Sequence, residues 1–66
     1  MKGLDFETIF SVKAHEKQII VLNMKNENKI IVNLNYYQYD FKDNYFHIWA
    51  NGIDTKIYYS AIKSVY

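Results

Sequence analysis

The chain has sixty-six residues, with eight lysines against seven acidic residues for a net charge of +1, two histidines, no cysteine and no arginine. A chain this short forms one domain at most, residues 1–66. It buries only about 60% of the surface its unfolded form exposes, so it rests on efficient packing and would gain from a partner chain. Disulfide staples are excluded, and with only His15 and His47 a structural metal site is not expected.

Lysines are spread from Lys2 to Lys63 without a run, and no arginine supplies bidentate phosphate or guanine contacts. That balance weighs against a nucleic-acid role without excluding it. Half the residues are apolar and 18% are aromatic, a composition that folds rather than stays disordered. The abundance of Asn, Lys, Ile and Tyr fits an AT-rich bacterial or phage coding sequence.

"MKGLDFETIF" has Asp5 and Glu7 and no long apolar run, so neither a secretion signal nor a membrane span is expected, and a cytoplasmic location is. Asp5 is placed to cap a helix whose Phe6, Ile9, Phe10 and Lys13 fall at i, i+3, i+4 and i+7, while "TIFSVKA" also alternates like a strand. Both readings stand for residues 5–14. In either, Phe6, Ile9 and Phe10 belong to the core and cover an open end or edge of a sheet.

"KQIIVLNM" is rich in β-branched residues and predicts a strand with Ile20, Leu22 and Met24 on one face and Ile19 and Val21 on the other. Lys25–Asn28 make a turn. "KIIVNLNYYQY" alternates as one strand, with Ile30, Val32, Leu34 and Tyr36 facing the core and Ile31, Asn33, Asn35 and Tyr37 facing water. A second turn is predicted over Asp40–Asn44, where Asp40, Asp43 and Asn44 act as turn formers; the spacing of a calcium loop is missing.

"YFHIWA" places Phe46 and Ile48 opposite Tyr45, His47 and Trp49. Asn51-Gly52 then reads as the centre of a type I′ hairpin. "IDTKIYY" sets Ile53, Thr55, Ile57 and Tyr59 on one face, and "SAIKSVY" closes with a tight turn and a short strand. The expected fold is mainly β: a small SH3-like antiparallel barrel or strongly bent sheet of four or five strands, with or without a short N-terminal helix.

The closing "KIYYSAIKSV", Lys56–Val65, resembles the second motif of the Sm-like family (Hfq type), with Tyr58, Ala61, Ile62 and Ser64 at the matching positions. The resemblance covers about ten residues and implies a small barrel, ring-like oligomers and RNA bound near the turn. Tyr59-Ser60 stands where bacterial members of that family carry Lys-His, and Asn33 or Asn35 stands where a glycine is expected. What carries over is therefore the architecture, not the RNA site.

Seven of the seventeen residues from Asn33 to Trp49 carry aromatic rings. The predicted alternation puts Tyr37, Tyr39, Tyr45 and Trp49 on an outer face, with His47 beside them as a packing residue. Rings of this kind are enriched where proteins meet, and on a sheet face they also stack bases, at about 1–3 kcal/mol each.

Protein or self contact through Tyr37, Tyr39, Tyr45, His47 and Trp49 is the preferred reading. A single-stranded RNA or DNA binder using Lys29, Lys42, Lys56 and Tyr58 is the alternative. No nucleophile elbow, phosphate-cradling loop or metal pair is present, so no catalytic residue, cofactor or small-molecule substrate is expected. So small a domain is also expected to lack a pocket of about 300 Å³. Asp54 beside Lys56 reads as a solvated strand face. A phage or mobile-element accessory protein acting on another protein suits this profile.

Overall fold

A computed structural model describes residues 1–66. Helix α1 spans Gly3–Glu16, which resolves the open reading of residues 5–14. The spacing of Phe6 and Phe10, one helical turn apart, places both rings on one side, and both are fully buried. Ile9, expected in the core, is instead 37% exposed, because the helix buries only a narrow stripe.

Asp5 does not cap the helix either. Lys2 holds the capping position without a side-chain bond, and its carbonyl accepts the Phe6 N–H at 2.9 Å. Asp5 lies in the first turn, where a negative charge favours the positive end of the helix dipole. The helix stops as Lys17 turns to extended backbone.

Strand β1, Ile19–Met24, follows where the β-branched run begins. It pairs with β2, Lys29–Asn33, with Ile20 opposite Val32 and Leu22 opposite Ile30. In the turn between them the Asn26 side-chain oxygen accepts the Asn28 N–H at 3.1 Å, and Glu27 takes a φ of +72°.

The predicted strand through Tyr39 breaks at Asn33. The Asn33 side chain accepts the Asn35 N–H at 3.0 Å, and its carbonyl accepts both the Tyr36 and the Tyr37 N–H. Such local bonds compete with the strand ladder and turn the chain. Tyr36, expected on the core face, is left exposed. Strand β3, Gln38–Phe41, therefore begins a new sheet, and the predicted turn over Asp40–Asn44 shortens, since Asp40 and Phe41 lie within β3.

Strands β4, Tyr45–Ala50, and β5, Ile53–Tyr58, form a hairpin around Asn51-Gly52, with Ala50 opposite Ile53. Only Gly52 takes a positive φ, +82°. That is the φ pattern of a type II turn rather than the expected type I′, which needs both residues there. A single 3₁₀ turn, Tyr59–Ala61, leads to β6, Ile62–Val65, which pairs with β1.

The molecule is thus a small, mainly β fold: two antiparallel three-stranded sheets in the orders β2-β1-β6 and β3-β4-β5, six strands in place of the expected four or five, with one N-terminal helix. The chain crosses between the sheets at residues 34–37 and at Tyr59–Ala61, and no strand ladder closes one sheet onto the other. No helix is long and apolar enough to cross a membrane.

The first sheet contributes Ile20, Leu22, Val32, Ile62 and Val65 to the core, and the second contributes Phe46, Ile48 and Ile57. Phe6 and Phe10 enter from the helix and Tyr59 from the crossover. Their rings interlock: Phe6 lies 4.9 Å from Phe46 and 5.3 Å from Tyr59, and Phe10 lies 4.7 Å from Phe46. Helix and crossover approach closely, so that a Cβ added at Gly3 would sit 2.9 Å from the Tyr59 ring. The buried Tyr59 hydroxyl donates to the Lys42 carbonyl at 2.7 Å, and no buried side-chain polar atom lacks a partner.

Phe6→Ala removes the ring that joins helix, sheet and crossover, and is expected to cost about 3–5 kcal/mol. Leu4→Ala on the same helix, at an 80% exposed position, should cost less than about 0.5 kcal/mol; urea unfolding of both variants compares them. A second expectation concerns alkaline pH. Burial, with help from the Glu7 carboxylate, raises the Tyr59 phenol above its ordinary value of 10.0. A raised folded-state value means that stability is fully present below about pH 10 and is lost as pH rises through the folded value. Tyr59→Phe should abolish this alkaline loss, while costing about 1 kcal/mol at neutral pH for the missing hydrogen bond.

Candidate functional site

Cross-strand partners in an antiparallel pair point to the same side. The register of β3, β4 and β5 therefore defines the outer face of the second sheet. Tyr45 lies opposite Tyr58, His47 opposite Lys56 and Asp40, and Trp49 opposite Asp54 and Gln38. Between these positions Phe46, Ile48 and Ile57 turn inward and are buried, which holds the outward rows in place.

On this face the side chains contact one another in sequence. The Tyr45 and Tyr58 rings are 5.7 Å apart, and the Lys56 ammonium sits 5.2 Å from the Tyr45 ring centre. His47 lies 4.7 Å from the Trp49 ring at a 33° tilt, and its Nε2 meets the Asp54 carboxylate at 2.7 Å. Asp40 pairs with the Lys42 ammonium at 3.1 Å. That ion pair lowers the Asp40 carboxyl below its ordinary range and raises the Lys42 amine above its own. Both groups are exposed, and an ion pair of this kind stabilises little.

Of the five predicted contact residues, the structure brings together Tyr45, His47 and Trp49 and separates Tyr37 and Tyr39 from them. Tyr37 packs against the core. Tyr39 stands opposite Ile48, on the inner side, with its ring 5.0 Å from Phe10 and 5.8 Å from Phe46. The cause is the turn after Asn33, which breaks the alternation on which their placement depends.

The lysines of the alternative set are divided as well. Lys29 is on the first sheet, paired opposite Asn23, Lys42 is engaged by Asp40, and Lys56 and Tyr58 lie on the outer face of the second. Asp54 is solvated, as expected of a strand face, and its carboxylate also meets His47. The Asn51-Gly52 loop carried the signal for this: a two-residue connection forces Trp49 opposite Asp54 and His47 opposite Lys56.

Concave surface is more plentiful than expected for the size. A solvent-open groove of about 510 Å³ lies beside Asn44, Tyr58 and Ser60, and another of about 420 Å³ lies between the start of the helix and Lys42. Of the outer rings, Tyr58 borders the first of these grooves. A comparison of the chain with known families, with characterised proteins and with solved structures finds no match.

Exchanging an inner and an outer ring separates the two populations. Tyr39→Ala should cost about 1–3 kcal/mol, because the ring, although 38% exposed, covers Phe10 and Phe46. Tyr58→Ala, at a 54% exposed position, should cost less than about 1 kcal/mol, as read from paired thermal and denaturant unfolding.

Proposed function

We propose that the protein is a small non-enzymatic binding module that docks another protein on the outer face of β3, β4 and β5. The observation that carries this reading is the contiguous row of Tyr58, Tyr45, Lys56, His47 and Trp49 on one sheet face, interleaved with Asp40 and Asp54. Tyrosine and tryptophan present large area with few rotatable bonds, so little entropy is lost when they are covered. Their mutual contacts already hold them in place, which lowers that loss further. Burying them is favourable by roughly 25 cal/mol per Å² before association costs.

Mixed charge on the face supports protein over nucleic acid. Each lysine near the rings stands beside a carboxylate or a ring, and Asp40 and Asp54 would repel a phosphate backbone. The finer architecture proposed with this function is a small SH3-like barrel, in a cytoplasmic accessory protein of phage or mobile-element type. The competing reading, a single-stranded RNA or DNA binder of Sm-like kind, draws support from one local feature: Lys56 and Tyr58 flank Tyr45 and could offer a phosphate contact beside a base-stacking pair.

Trp49 is the only tryptophan, so its fluorescence reports directly on the face. A bound protein should shift the emission to the blue in a way that moderate salt leaves unchanged, and Tyr45→Ala with Trp49→Phe should weaken capture at least tenfold while the circular dichroism spectrum stays the same. Quenching by oligouridine that fades as salt rises, through re-condensation of counterions, would instead favour the nucleic-acid reading.

A further inference from the structure

Strand β5 is an open edge of the second sheet. Its only neighbour is β4, and the register between them runs unbroken over all six residues from Ile53 to Tyr58. In an antiparallel pair the backbone groups of successive residues point alternately toward the neighbour and away from it. The two-residue loop at Asn51-Gly52 makes Ala50 and Ile53 a bonded pair. At the far end of the same ladder the Tyr59 N–H donates to the Asn44 carbonyl at 3.3 Å. Ile53, Thr55, Ile57 and Tyr59 therefore bond toward β4. Asp54, Lys56 and Tyr58 turn their N–H and C=O groups to the free edge, and no backbone bond outside the ladders reaches them.

An unpaired row of this kind is a template for another strand unless a bulge, a proline, a short length or repelling charge blunts it. The other edges are blunted. Strands β3 and β6 have four residues each, and the pairing of β6 shifts register at Asn23/Met24. In β2 the Asn33 carbonyl is already taken by the Tyr36 and Tyr37 N–H groups. Strand β5 has neither bulge nor proline, and its two charges are of opposite sign.

We infer that β5 pairs antiparallel with β5 of a second copy about a two-fold axis through Thr55, joining two three-stranded sheets into one of six strands. Only residues that face the edge can bond, so the axis must pass through a residue rather than between two. An axis at Asp54 sets Asp54 against its own copy, and one at Lys56 sets Lys56 against its own copy. An axis at Ile57 leaves Asp54 beyond the end of the partner strand. The axis at Thr55 sets Asp54 opposite Lys56 of the other copy, and the same rotation sets Lys56 opposite Asp54, as an isologous contact requires. Opposite charges directly across a strand pair are favourable and like charges are not. On the other side of the sheet this register brings Ile53, 39% exposed, opposite Ile57 of the second copy, with Thr55 meeting its own copy on the axis. Because the axis stands perpendicular to the sheet, the two Trp49 faces end on the same side.

Sedimentation equilibrium of the protein alone at submillimolar concentration, with backbone amide exchange, tests the inference. The expected mass is twice the 7.9 kDa of the chain. The Asp54 and Lys56 amides should be protected in the dimer and exchange at least tenfold faster on dilution. Lys56→Glu should weaken the dimer at least tenfold, and so should Asp54→Lys. The two together restore opposite charges in the same register and should recover the dimer. A wild-type mass of 7.9 kDa, or one above two copies, would overturn the proposal. So would a dimer in which the Asp54 and Lys56 amides stay unprotected, or one indifferent to the charge exchange. Protection is read on the wild-type chain, so the test stands even where a variant fails to fold. No other protein enters these measurements, and failure of the dimer leaves the partner-binding reading to its own test.

Discussion

Everything else in the molecule depends on the contact of Phe6 and Phe10 with Phe46. Two sheets that share no ladder must be held together by what lies between them, and here that filling is largely aromatic. Phe6, Phe10, Phe46 and Tyr59 meet at ring-centre distances between 4.7 and 5.5 Å. Phe41 and Tyr39 close the rim. Aromatic pairs in tilted and edge-on contact are worth about 0.5–1.5 kcal/mol beyond the area they bury. In a chain with eleven buried residues, such pairs take the place of the disulfides and metals on which many domains of this size rely.

The same filling explains why both sheets show rings or aliphatic groups on their outer sides. The core takes Phe46, Ile48 and Ile57 from the second sheet, with Phe41 and Tyr39 at its rim, leaving Tyr45, His47 and Trp49 outward on β4 and Tyr58 outward on β5. Helix α1 is occupied at the interior and shields neither sheet from outside. Two uncovered faces result, different in kind: one carries Tyr45, Tyr58, His47 and Trp49 with Asp40 and Asp54 among them, the other carries Ile19, Val21 and Ile31 with Asn23, Lys29 and Asn33 beside them.

Periodicity alone revealed much of this. The alternation of "YFHIWA" correctly turned Phe46 and Ile48 inward, the Asn51-Gly52 pair marked its hairpin, and Phe6 and Phe10 were core residues in either reading of residues 5–14. The failures share one physical source. Asn33 bonds its own neighbours instead of the ladder, and a one-residue change of register moves every later side chain to the opposite face. Tyr37 and Tyr39 were misplaced for that reason. The His47–Asp54 contact escaped for another: it spans two strands, and periodicity within one strand carries no information about its neighbour.

The pairing of β1 with β6, which sets Leu22 opposite Val65, has a kinetic consequence. Phe6 likewise finds its partners in Phe46 and Tyr59, so neither the first sheet nor the helix can complete its contacts until distant parts of the chain have met. Closing such loops costs entropy before any contact repays it, and domains dominated by non-local pairs fold more slowly than helical ones. The hairpin at Asn51-Gly52 has the shortest connection of the three hairpins, and it carries Phe46 and Ile57. Folding is thereby expected to nucleate on the sheet that bears the aromatic face, with the helix and the strands β1, β2 and β6 assembling onto it in a single cooperative step.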